Sequence, residues 1–109
     1  MNPRPNDSGR RMVGDIAPKL AELTDRVLFD DVWRRGQLTP AQRSLVTVAA
    51  LVALNRTEQL PFHLRRAREN GLGIEQLAEA VTHLAFYAGW PAAFSAAERL
   101  RALQQDEEG

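Results

Sequence analysis

A chain of 109 residues with 14 basic and 14 acidic side chains, and so no net charge, is sized for one hydrophobic core. That balance argues against nucleic acid or an anionic membrane as the main partner, because both demand a basic excess or stripe. No cysteine is present, which excludes disulfides, thiolate nucleophiles and thiolate metal or iron–sulfur sites, and points to the cytosol.

The opening residues, MNPRPNDSGRR, hold no apolar stretch of the kind a signal peptide needs. Residues 1–12 read as a flexible tail with almost nothing to bury. Residues 13–105 read as one helical domain and 106–109 as a solvated C-terminal tail. Ile16, Leu20, Leu23, Val27 and Leu28 follow the spacing of an amphipathic helix, which Gly36 then interrupts. Thr39 as N-cap, Pro40 at the first helical position and Gln42 three residues after the cap form a capping-box start. The apolar run Leu45–Leu54 that follows is interrupted only by Thr47. It is far short of the roughly 20 residues a bilayer span requires, and reads as a helix buried on most sides.

A joint at Asn55-Arg56-Thr57 leads to a charged helix that ends at Asn70-Gly71, where glycine can take the left-handed conformation. Pro61 either marks the start of that helix or kinks it, since its ring removes a backbone donor. The next helix turns Ile74, Leu77, Ala78, Val81, Leu84, Ala85 and Ala88 inward. Gly89-Trp90-Pro91 stops it, and Pro91 opens a last, alanine-rich helix up to Leu103. No segment alternates like a half-buried strand. The fold class is all-α, a bundle of about five to six helices. Its small size favours self-association, which adds burial.

The chain has two histidines. His63 lies one turn after Gln59, next to Pro61. Glu79, His83 and Tyr87 share one helix face, where a carboxylate orients an imidazole and a phenol donates to developing negative charge. The bland counterparts are an exposed i,i+4 pair for Glu79 and His83, packing for Phe86 and Trp90, and a solvated face for Arg65, Arg66 and Arg68. Metal binding is not expected, because the histidines lie on different helices without HxxxH spacing. No phosphate loop or GxSxG elbow occurs.

Four markers, spread over about Leu38 to Ala97, narrow the reading. They are the RSLVT start of the long helix, the histidine of PFHLRRA, the NG turn, and the block HLAFYAGWP. Together they resemble the carboxymuconolactone decarboxylase family, whose members share the alkylhydroperoxidase-D-like helical fold. The preceding FDDVW segment is similar as well. The peroxidase branch of that family uses a CxxC pair followed by histidine and preceded by glutamate. Here those positions correspond to Arg56, Gln59, His63 and Ser44, so the resemblance excludes thiol peroxidase chemistry.

The decarboxylase branch implies a cofactor-free lyase acting on a small anionic lactone or carbonyl compound. By that resemblance His63 is the acid/base candidate, with His83 and Tyr87 as further catalytic candidates. Arg43, Ser44, Gln59 and Trp90 are the substrate-binding candidates. The resemblance also implies a homotrimer or homohexamer. Two alternatives stand beside it: a non-catalytic small-molecule-binding or assembly protein, and an isomerase or cyclase using the same histidine.

Overall fold

The computed structural model describes residues 5–109, and the first four residues of the expected tail lie outside it. Every regular element among the described residues is helical. The chain divides into two compact units, one ending at Leu38 and the other running Thr39–Gly109.

In the first unit α1 spans Ser8–Val13 and α2 spans Pro18–Glu22, with Pro18 supplying a helix start that has no amide to satisfy. From Leu23 to Phe29 the helix widens to a π winding, and Val32–Arg34 form a 3-10 turn. Part of the stretch read from composition as a tail is therefore helical. The reason is Asp25, which is buried and accepts the amides of Gly9 at 2.7 Å and Arg10 at 3.0 Å. Those amides belong to the first turn of α1, which carries no cap from its own sequence. Close approach needs glycine at position 9, where a Cβ would stand 2.9 Å from Ala21 O, Asp25 Oδ1 and Thr24 Cβ alike.

The amphipathic stripe expected to face inward does not. Ile16, Leu20, Leu23, Val27 and Leu28 are all exposed, and the buried residues of this unit are Gly9, Ala21 and Asp25. Small groups and a hydrogen-bonded carboxylate let the short helices approach, which leaves the large side chains on the outside.

The second unit holds α3 (Pro40–Ala53), α4 (Leu60–Glu69), α5 (Ile74–Ala88) and α6 (Trp90–Glu108). The capping box forms as its sequence requires. Gln42 N donates to Thr39 Oγ1 at 3.1 Å, and Thr39 N donates to Gln42 Oε1 at 2.9 Å. Asn55, at φ 56°, takes the left-handed conformation beyond α3. Pro61 marks the start of α4 as its second residue and does not kink it. Gly71 at φ 102° and Gly89 at φ 103° make the turns after α4 and α5.

Helix α3 packs on α4 and α5, and α6 packs on the same two, so α4 and α5 occupy opposite corners. Val48, Val52, Leu64, Leu77, Ala93 and Ala96 lie in the shared core.

Two burial expectations are corrected. Helix α3 buries one face only, with Val46 61 % and Leu54 66 % exposed. In α5, Ala78 points outward while Leu77, Val81 and Ala85 are buried. The chain end is also more ordered than its composition suggests. Helix α6 continues to Glu108, and Arg68 grips Glu107 through Nε and Nη2 while Nη1 reaches Leu72 O at 3.1 Å. No helix among the described residues is long and apolar enough to cross a membrane.

Candidate functional site

Helix α4 buries Leu60, Leu64 and Ala67. This leaves Gln59, His63 and Arg66 beside the buried stripe, at i, i+4 and i+7. His63 is half-buried, and its Nδ1 is enclosed without a hydrogen-bond partner. Burial pushes the His63 imidazole below its usual 6.5, and the Arg66 guanidinium lowers it further. An imidazole with an unanswered buried nitrogen is an ordinary liability in a core and a usable group in a site.

Around it, the Phe62 ring stands edge-on to the His63 ring, with centroids 5.0 Å apart at 84°. The Arg66 guanidinium lies over the same Phe62 ring, 5.8 Å from its centroid. Gln59 is exposed one turn earlier, its carbonyl accepting the His63 amide at 3.4 Å.

The other expected site residues lie on α3, α5 and α6. Ser44 is buried, and its Oγ accepts Asn70 Nδ2 at 2.9 Å, tying α3 to the far end of α4. Asn70 lies seven positions after His63, about 10 Å along the axis. Ser44 is thus a buried inter-helix tie in this chain. Arg43 is half-buried beside it on α3.

His83 and Tyr87 lie on α5, the corner opposite α4. Their rings pair at 5.0 Å, and Tyr87 is 80 % exposed. The expected carboxylate–imidazole bond is not made, since Glu79 forms no ion pair with His83 among the described residues. Both instead border an open cleft of about 430 Å³ between α3 and α5, floored by Leu45, Ala49, Leu72 and Leu84. Trp90 is exposed and packs edge-on against Phe86 at 5.1 Å. Among the described residues no three histidine, aspartate or glutamate side chains cluster to hold a metal ion.

The basic run of α4 is not a uniform solvated face. Arg68 is committed to Glu107, Arg66 to Phe62, and Arg65 is exposed. The Phe62–Arg66 spacing of four residues was readable as a same-face pair. The Asn70 tie and the Asp25 cap had no local signal, because each joins residues 15 or more positions apart.

Residues 18–102 match the family model of the carboxymuconolactone decarboxylase family. Over 84 residues the chain is 37 % identical to the 4-carboxymuconolactone decarboxylase of Acinetobacter baylyi, covering 77 % of this chain and 63 % of that one. Over 75 residues it is 35 % identical to the nitrosuccinic acid decarboxylase of Metarhizium robertsii, covering 69 % of this chain and 52 % of that one. The matched region spans less than two thirds of either relative's length. With a match over most of its length and a 37 % identical relative, the chain belongs to the carboxymuconolactone decarboxylase family.

Proposed function

We propose that this chain is a cytoplasmic, cofactor-free decarboxylase of a small carboxylate whose neighbouring group accepts negative charge, such as an unsaturated lactone, a carbonyl or a nitro group. The observation that carries the reading is His63, half-buried, with an enclosed nitrogen lacking a partner and a proton affinity held below normal. In the reaction the carbon–carbon bond to the carboxylate breaks, carbon dioxide leaves, and the electron pair passes into the acceptor group. Carbon then takes a proton from the imidazolium, and His63 regains one from water. A group with lowered proton affinity surrenders its proton readily, which suits the second step.

Gln59, one turn away, is the neighbouring hydrogen-bonding candidate. Its accessible position supports a substrate role better than that of Ser44, which is buried against Asn70. His83, Tyr87 and Trp90 join the site only if assembly brings a neighbouring subunit's α5 and the start of its α6 to α4. A homotrimer or homohexamer is the form proposed. The test is turnover of carboxylated lactones, β-keto acids and 2-nitrosuccinate, with carbon dioxide release and isomer formation both followed. The wild-type chain is expected to release carbon dioxide, and His63→Asn to abolish release while leaving thermal stability nearly unchanged. Full activity in His63→Asn removes His63 from the mechanism. Isomers without carbon dioxide assign an isomerase or cyclase, and binding without product assigns a binding protein.

A further inference from the structure

Glu79, His83 and Tyr87 share one face of α5, the helix at the corner opposite α4 and His63. The first two border the open cleft of about 430 Å³ between α3 and α5. That volume falls within the roughly 300–1,000 Å³ of small-molecule sites. The floor is apolar, made of Leu45 and Ala49 from α3 with Leu72 and Leu84. Leu45 is 37 % exposed, so a ligand lying on this floor removes aliphatic surface from water.

The polar wall comes from α5 alone. Gln76 turns its Oε1 back to the Gly73 amide, which donates to it at 2.8 Å, and so serves as a helix cap. Glu79 is exposed and forms no ion pair among the described residues. It is the one carboxylate in the cleft lining, and no arginine or lysine lines the cleft with it. His83 follows one turn later, a spacing that puts Cβ atoms about 5–6 Å apart. The Tyr87 ring backs the His83 ring, with centroids 5.0 Å apart and 32° between the planes.

A carboxylate with no cation beside it, at the edge of an apolar floor, selects for positive charge on an apolar body. An ammonium carries three N–H donors and no acceptor, and an unprotonated imidazole supplies one acceptor. A single amine nitrogen therefore suits Glu79 and His83 together, while its hydrocarbon lies along the leucines of the floor. The same carboxylate repels the anionic substrate proposed for His63, so the two sites sort ligands by the sign of their charge.

We propose that the α3–α5 cleft binds a small primary amine with an apolar body, its ammonium held by Glu79 and His83. Because the cleft is separate from His63, this binding stands or falls independently of the decarboxylase reading.

The test titrates the full chain at about pH 8, above the ordinary histidine range. The probes are 2-phenylethylamine, the neutral 2-phenylethanol and the anionic 3-phenylpropionate. Binding is followed through the NMR signals of the two imidazoles, which His63→Asn assigns. The amine is expected to shift the His83 signals and leave those of His63 in place. It is expected to bind about fivefold more tightly than the alcohol, the scale of one exposed ion pair. Glu79→Gln is expected to remove that preference with alcohol binding unchanged. Ala49→Leu, which fills the floor, is expected to abolish binding of both, with its thermal midpoint reporting that the chain still folds.

Equal affinity for amine and alcohol overturns the proposal, as does tighter binding of the carboxylate or an amine shift at His63 in place of His83. Silence of His83 toward all three probes overturns it too. A cleft covered by a second copy gives that silence together with a mass above 12.2 kDa in sedimentation equilibrium.

Discussion

His63 couples folding to proton binding in a direction that its surroundings dictate. Burial and the nearby Arg66 guanidinium lower its proton affinity in the folded chain. The unfolded chain therefore takes up a proton near the usual 6.5, while the folded chain resists until lower pH. The associated stability is complete above that unfolded value and is lost as pH falls through the folded one. Thermal midpoints of wild type and His63→Asn, measured from about pH 7.5 down to about pH 5, are expected to diverge accordingly. Wild type should lose more stability over that interval, and parallel curves would show that the imidazole is not shielded. At the other end of the chain Gly9 tolerates no side chain, since any Cβ meets a carbonyl, a carboxylate oxygen and a carbon at 2.9 Å. Gly9→Ala is expected to cost about 1–3 kcal/mol locally, the range for overpacking a tight site. Faster amide exchange across α1 would report it.

At the scale of elements, the π winding of Leu23–Phe29 has a visible consequence. Its five-residue step appears in the bond from Asp30 N to Asp25 O at 3.1 Å. Both carboxylates then reach the same N-terminal stretch: Asp25 takes Gly9 N and Arg10 N, and Asp30 takes Asn6 N at 2.9 Å. Arg26 completes the fastening through Asp30 and Asn6 O. Since Met12 and Ile16 are exposed, polar contacts rather than apolar burial hold this segment. Asp25→Ala is therefore expected to release α1 and speed tryptic cleavage at Arg10 and Arg11, with α3–α6 still folded. Unchanged cleavage would mean that α1 is held by other contacts. The start of α3 offers a milder contrast, because the Thr39 box is local and exposed. Thr39→Ala is expected to cost about 1 kcal/mol in a denaturant titration.

At the scale of the whole molecule, the described surface carries a run of uncovered aromatic side chains. Phe86 is 74 % and Phe94 63 % exposed, with Trp90 between them against Phe86. Apolar surface of this kind on a small chain favours burial against another copy. Under the proposed assembly, Phe86→Glu with Phe94→Glu is expected to lower the mass found by sedimentation equilibrium to that of the 12.2 kDa chain. An unaltered mass would move the interface elsewhere.

How much of this was legible beforehand divides along one physical line. Signals that act over three or four residues were sufficient by themselves: the Thr39–Gln42 box, the left-handed Gly71, the Gly89-Trp90-Pro91 break, and hence the all-helical class. The missing cysteines likewise ended thiol chemistry without any coordinates. Periodicity predicted which helices form but not which faces are covered, so the stripe from Ile16 to Leu28 and much of α3 proved exposed. The site divided in the same way. His63 was identifiable as a candidate, yet its enclosure comes from tertiary packing. That Ser44 accepts a bond from Asn70, 26 positions away, was not legible in the sequence. His83 stood second to His63, and only the packing order shows that their helices lie at opposite corners. Local backbone preferences are written residue by residue, whereas enclosure and pairing depend on which distant helices meet.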